Sequence, residues 1–159
     1  MIRKKLSKNI DYFEEYHILA IVSHLKDYNL CYHINLDLAL DLVKYEDLIF
    51  ALPSVEESSF SWYYFADKVS RTFYYLIGNK GENSNLISSQ KTVDYFFLIK
   101  NPVNYQLIKS IASRLRTIPN ITAVFDFNIR QFKDMDLLLE TNELHELEYI
   151  NRRLSKDSL

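Results

Sequence analysis

"TVDYFFLIK", residues 92–100, is the stretch on which the fold turns. Side chains of a strand alternate between its faces, so Val93, Tyr95, Phe97 and Ile99 share one side, and Asp94, Phe96, Leu98 and Lys100 the other. Both sides are apolar through the middle and polar only at the ends. That pattern predicts a central strand with a covering layer on each face, because one exposed face would leave a row of large apolar groups in water.

The segments on either side extend the same reading. "YEDLIFALP" predicts a strand closing near Pro53, which cannot donate to a central ladder. "SSFSWYYFAD" and "SRTFYYLIGN" predict two strands joined by a turn at Asp67 to Ser70, with Phe60, Trp62, Tyr64 and Ala66 opposed to Tyr63 and Phe65. In the next strand Phe73, Tyr75 and Ile77 oppose Tyr74 and Leu76. "GNKGENSNLISSQ" holds both glycines of the chain and reads as a loop. After residue 100, Ile108, Ile111, Ala112 and Leu115 form a helical stripe that Pro119 ends. "NITAVFDFNI" resumes alternation, with Ile121, Ala123, Phe125 and Phe127 on one face, and "QFKDMDLLLE" reads as a short strand or edge segment.

Ahead of the strands, Phe13, Ile18, Ile21, Val22 and Leu25 recur at roughly helical spacing, so Ile10 to Leu25 is expected to be a first helix. After a break near Asp27, a second helix sends Leu30, Cys31, Ile34 and Leu38 inward. At the other end Leu144, Leu147, Ile150 and Leu154 predict a peripheral amphipathic helix. The expected architecture is an α+β single domain over residues 1–140. It has a mainly antiparallel sheet of about four to five strands packed with two or three helices, and residues 141–159 form a C-terminal helix or tail.

At 159 residues the chain is long enough for one core. Hydrophobic residues at 48% and charged residues at 25% describe a chain that folds. A formal charge of -2 gives no overall attraction to nucleic acid or anionic membrane. Cys31 is the sole cysteine and allows no internal disulfide. No apolar run is of membrane-spanning length, and the N-terminal stretch lacks the pattern of a cleaved leader, so a cytoplasmic setting without membrane association is expected.

"DYNLCYHIN", "VDYFFLI" and "FKDMDLLL", in that order, resemble a family of small uncharacterised bacterial proteins, mainly of Bacteroidetes-type bacteria, with the signature IPExxxVDY. The likeness runs from about Tyr16 to Leu139. Ile87 matches the signature isoleucine, Ser88 and Ser89 replace its proline and glutamate, and Val93, Asp94 and Tyr95 match its end. The resemblance implies a cytoplasmic bacterial protein and brings no catalytic assignment with it.

Asp94 has three readings: a catalytic carboxylate, a recognition group shared with Tyr95, or a cap fixing the strand mouth and the polar 78–90 loop. Catalysis requires a second group to exchange a proton, and no spacing selects Glu56, Glu57, Asp67 or Asp126 for that part. Capping fits best. His17, His24 and His33 have no ligand spacing, and His145, with only Glu148 and Thr141 at helical reach, reads as part of a solvated face. Without a glycine-rich phosphate loop, a metal set or a nucleophile constellation, no enzyme and no cofactor is expected.

The expected role is a noncatalytic protein-interaction or adaptor protein with an unidentified protein partner, its tyrosines supplying amphipathic contact area. The alternative is RNA binding through Lys109, Arg114, Arg116, Arg130 and Lys133, with an exposed Tyr63 or Tyr74 stacking on a base. The sequence leaves oligomeric state open.

Overall fold

The computed structural model describes residues 12–53 and 55–157. A single helical turn, α1 (Tyr12–Glu15), leads into β1 (Tyr16–Ser23), followed by α2 (Asp27–Leu38) and the two-residue β2 (Val43–Lys44). Next come β3 (Leu48–Leu52), β4 (Val55–Phe60), β5 (Trp62–Asp67), β6 (Thr72–Gly78) and β7 (Tyr95–Lys100). The chain then runs through α3 (Tyr105–Arg116), β8 (Ile121–Asp126), a 3-10 turn (Ile129–Gln131) and α4 (Met135–Asp157).

Six strands form one sheet in the order β2-β5-β6-β7-β1-β8, and β3 and β4 form a separate hairpin. Every pairing is antiparallel. The fold is therefore α+β with an antiparallel sheet, but with eight strands among the described residues rather than four or five. Since β7 and β8 both run antiparallel to β1, they are parallel to each other, with α3 as their crossover.

The largest departure from expectation is β1: of the helix predicted from Ile10 to Leu25, only Tyr12–Glu15 is helical, Tyr16–Ser23 is a strand, and the expected start at Ile10 lies outside the described residues. Ile18 and Ala20 enter one core while Leu19 and Ile21 enter the other. A strand buried on both faces is apolar at nearly every position, so it contains helical spacings by default. Its neighbour β7 behaves as the alternation predicts: Phe96 and Leu98 face one core, Tyr95, Phe97 and Ile99 the other. Val93 does not join Tyr95, because the strand starts at Tyr95 and the preceding turn swings Val93 into the opposite core.

The expected strand "SSFSWYYFAD" breaks at Ser61. Phe60 pairs with Leu48 in the hairpin, whereas Trp62 pairs with Ile77 in the main sheet. At the break Ser61 C=O accepts a hydrogen bond from Gly78 N–H at 3.0 Å. A Cβ on Gly78 would lie 2.7 Å from Ser61 Oγ, so the crossing requires glycine for space rather than for backbone conformation.

α2 and α3 cover one face of the sheet, with Leu30, Ile34, Ile108 and Leu115 packed on Leu19, Leu76 and Phe97. The β3–β4 hairpin, the 79–94 segment and the start of α4 cover the other. "FKDMDLLL" is thus a helix start, not an edge strand: Met135, Leu138 and Leu139 are buried at helical spacing. Farther along α4, Leu144 and Leu147 are 60% and 58% exposed, so these two leucines of the amphipathic stripe do not pack on the body. On β8 the buried residue is Val124, while Phe125 is 39% exposed and Phe127 packs beyond the strand end. An edge strand reaches only part of the core, and the expected Ile121-to-Phe127 face divides accordingly.

These placements separate stabilising from exposed leucines. Leu19→Ala should cost about 2–5 kcal/mol in urea unfolding, and Leu144→Ala should stay within about 0.5 kcal/mol.

Candidate functional site

Asp94 and Tyr95 lie where β7 meets the end of β1. Asp94 Oδ2 accepts the Ser23 N–H at 2.9 Å, and Asp94 N–H donates to Ile21 C=O at 2.9 Å. The Tyr95 hydroxyl donates to Leu25 C=O at 2.5 Å. Burial, then the nearby carboxylates of Asp27 and Asp94, pushes that hydroxyl up to about 12, so it stays a donor. Asn79 Nδ2 bonds the carbonyls of Gln90 and Val93, both at 2.8 Å, and its Oδ1 accepts Ile87 N–H at 2.9 Å. Asp94 and Tyr95 thus tie β7 to β1 and the turn after it, while Ile87 and Val93 close the loop on Asn79. The carboxylate bonds the Ser23 amide rather than an amide of the 78–90 loop.

Asp94 also borders a polar basin of about 710 Å³ with Lys26, Lys44 and Lys80. Lys44 is held by Asp27 at 3.2 Å and Asp47 at 3.8 Å, and Lys80 by the Lys91 carbonyl. None of Glu56, Glu57, Asp67 or Asp126 lines the basin.

The basic residues do not converge. Arg116 donates from Nε and Nη2 to Val124 C=O at 3.1 and 2.8 Å, and Arg114 bonds Asp37 C=O at 3.0 Å. Lys109 lies over Tyr105 on the same helix. Arg130 and Lys133 belong to the segment whose Ile129 and Phe132 pack in the opposite core. Tyr63 and Tyr74, expected to be exposed, are both 4% accessible beneath α2 and α3 and cannot offer a stacking face.

The polar chemistry that sequence reading missed is under α4. Tyr16 donates to Glu143 Oε2 at 2.6 Å, and Lys100 Nζ approaches the same oxygen at 3.2 Å. Tyr64 and Tyr75 donate to Glu146 Oε2 and Oε1 at 2.6 and 2.7 Å. Burial, reinforced by these carboxylates, raises the three tyrosines far above their ordinary range. Trp62 Nε1–H donates to Asn142 Oδ1 at 2.8 Å, leaving Asn142 Nδ2 buried with no hydrogen-bond partner among the described residues. His145 is no part of a solvated face. It is 8% exposed, its ring lies 4.5 Å from Trp62, and its Nε2 bonds Glu46 C=O at 2.8 Å. A carbonyl only accepts, so Nε2 carries the proton.

This network borders a groove of about 730 Å³ along the outer edge of β5. β2 covers that edge only at Tyr63 and Tyr64. Asn35 explains why β2 stops there: its side chain accepts Leu42 N–H at 2.8 Å and donates to Leu42 C=O at 3.1 Å, drawing the chain toward α2. Tyr45 N–H donates to Trp62 C=O on the outer side, whereas Ser61 C=O points inward to Gly78. By strand alternation Tyr64 and Ala66 also direct their backbone groups outward. No described strand pairs with Ala66 on that side.

Ala66 continues the row Phe60, Trp62, Tyr64 with a methyl group where an aromatic ring would fill the space. Tyr45, Tyr64, Phe73 and Ile150 form apolar walls, Glu146 and Asp41 supply negative charge, and Lys68 and Arg71 stand at the turn. The opposite edge differs, because the Arg116 guanidinium covers the outward Val124 carbonyl. No sequence motif marked the groove; the small residue ending an aromatic row was its one legible sign.

No protein-family model matches the chain, and no curated protein matches it. Among the described residues no group of three or more His, Cys, Asp or Glu side chains could hold a metal ion, and no helix is long and apolar enough to cross a membrane.

Burial holds the His145 pKa below its ordinary value. The unfolded chain therefore binds the extra proton first, and this histidine's stability contribution is full above about pH 6.5 and is lost as pH falls through the lower folded value. Thermal melts should show Tm rising with pH across that window, with His145→Gln flattening the rise.

Proposed function

We propose that the protein is a noncatalytic cytosolic interaction or adaptor module that receives an extended segment of a partner protein along the outer edge of β5. The observation carrying this reading is the Ala66 edge, which no described strand pairs on its outer side, beside a ready-made groove. Strand addition there would satisfy Ala66 N–H and C=O, and alternate side chains of the guest would enter the groove. Strand edges left open invite pairing, and the plug of Arg116 on the other edge directs such pairing to one side of the sheet. The resemblance to the IPExxxVDY family belongs to the same reading, with Ile87, Val93, Asp94 and Tyr95 serving the scaffold. RNA binding gains no support from Arg114 and Arg116, which are committed to backbone carbonyls, or from Tyr63 and Tyr74, which are buried.

Ala66→Pro provides a selective test. It deletes an outward N–H without removing a bond to β6, and proline suits an extended edge position. Native affinity recovery should yield reproducible protein partners with the wild-type chain, and these should be lost with folded Ala66→Pro but kept with Arg114→Ala. RNA recovery abolished by Arg114→Ala, with protein recovery indifferent to Ala66→Pro, would reverse the reading.

A further inference from the structure

We propose that the segment docking on β5 carries a lysine or arginine opposite Ala66, its cationic head pairing with Glu146. This deepens the strand-edge reading and rests on it.

Cross-strand partners point to the same face, so a side chain opposite Ala66 would project toward α4. Ala66 shares that face with Tyr64 and Trp62, and Glu146 lines the same groove. Glu146 receives two phenolic hydrogen bonds, one on each oxygen. A carboxylate oxygen has two acceptor sites, so each retains capacity for another donor.

The two glutamates of the network differ in charge balance. Glu143 has Lys100 at 3.2 Å, while no described Lys, Arg or His comes within ion-pair distance of Glu146. The walls suit a cation on an aliphatic stem: Ala66 and Ile150 offer apolar contact to the methylenes, and Tyr64 and Phe73 offer aromatic rings. Asp41 adds negative charge to the lining. At the turn Lys68 and Arg71 stand with Asp67 in the lining, and Glu146 is the carboxylate on the α4 side.

The probes are three peptides, acetyl-Thr-Val-Xaa-Val-Thr-amide, with Xaa as lysine, norleucine or glutamate, titrated into the full chain and followed at the Ala66 amide by NMR. The lysine peptide should bind roughly five- to tenfold more tightly than the norleucine peptide, as expected of a charge-assisted hydrogen bond. The glutamate peptide should bind weakest, and the lysine advantage should shrink between about 50 mM and about 500 mM salt. Within Glu146→Gln the lysine and norleucine peptides should bind equally, whatever the change in their common affinity.

Equal binding of all three peptides at Ala66 would overturn the cation assignment while leaving edge docking intact. Loss of any Ala66 response would overturn both. A lysine preference that persists in folded Glu146→Gln also overturns the assignment. Should that variant fail to fold, the wild-type lysine-to-norleucine ratio and its salt dependence decide. Dimerisation that Ala66→Pro abolishes, seen by light scattering, would instead place a second copy on the edge and overturn the proposal.

Discussion

The structure depends on two neighbouring strands, β1 and β7, that are apolar on both faces. A sheet built on such a pair has no side that can face water, so the chain must cover it twice. Two helices from separate parts of the sequence, α2 and α3, cover one face. The other is assembled from the β3–β4 hairpin, the 79–94 segment and α4. Asp94 and Tyr95 matter here because they tie the start of β7 to the end of β1 and the turn after it.

The covers differ in chemistry. Under α2 and α3 the Tyr63 and Tyr95 hydroxyls are met by Asp27 and the Leu25 carbonyl at the margin of the core, whereas the α4 side must accommodate three tyrosine hydroxyls and an indole N–H within one helix face. Burying such groups without partners costs about 1–3 kcal/mol apiece. α4 supplies Asn142, Glu143 and Glu146 within its inward turns, so aromatic mass is buried and its polar atoms are bonded. The same solution places Glu146 beside the groove with two phenolic donors and no ion-pair partner among the described residues, which gives the β5 edge both shape and charge.

The alternation of "TVDYFFLIK" and of the two tyrosine-rich strands was legible because period-two patterning survives when bulky residues occupy both faces. α2 and α3 were legible from their inward stripes of Leu30, Ile34, Ile108 and Leu115. β1 was not, since Ile18, Leu19, Ala20 and Ile21 satisfy helix and buried-strand templates alike. The inward face of α4 was hidden for another reason. Hydrophobic spacing points to Leu144 and Leu147, but the sheet beneath presents hydroxyls and selects Asn142, Glu143, His145 and Glu146. The groove arises from where β2 ends, a consequence of the Asn35 contact with Leu42 that no local pattern announces.

The central claim is that Ala66 presents a backbone edge that no described strand occupies. Amide hydrogen exchange on the free protein measures this directly, since a bonded amide exchanges only through opening. Ala66 should exchange about a hundredfold faster than its neighbour Phe65, whose amide points inward to β6. Equal protection of the two amides would mean that the edge is already occupied and would contradict the account.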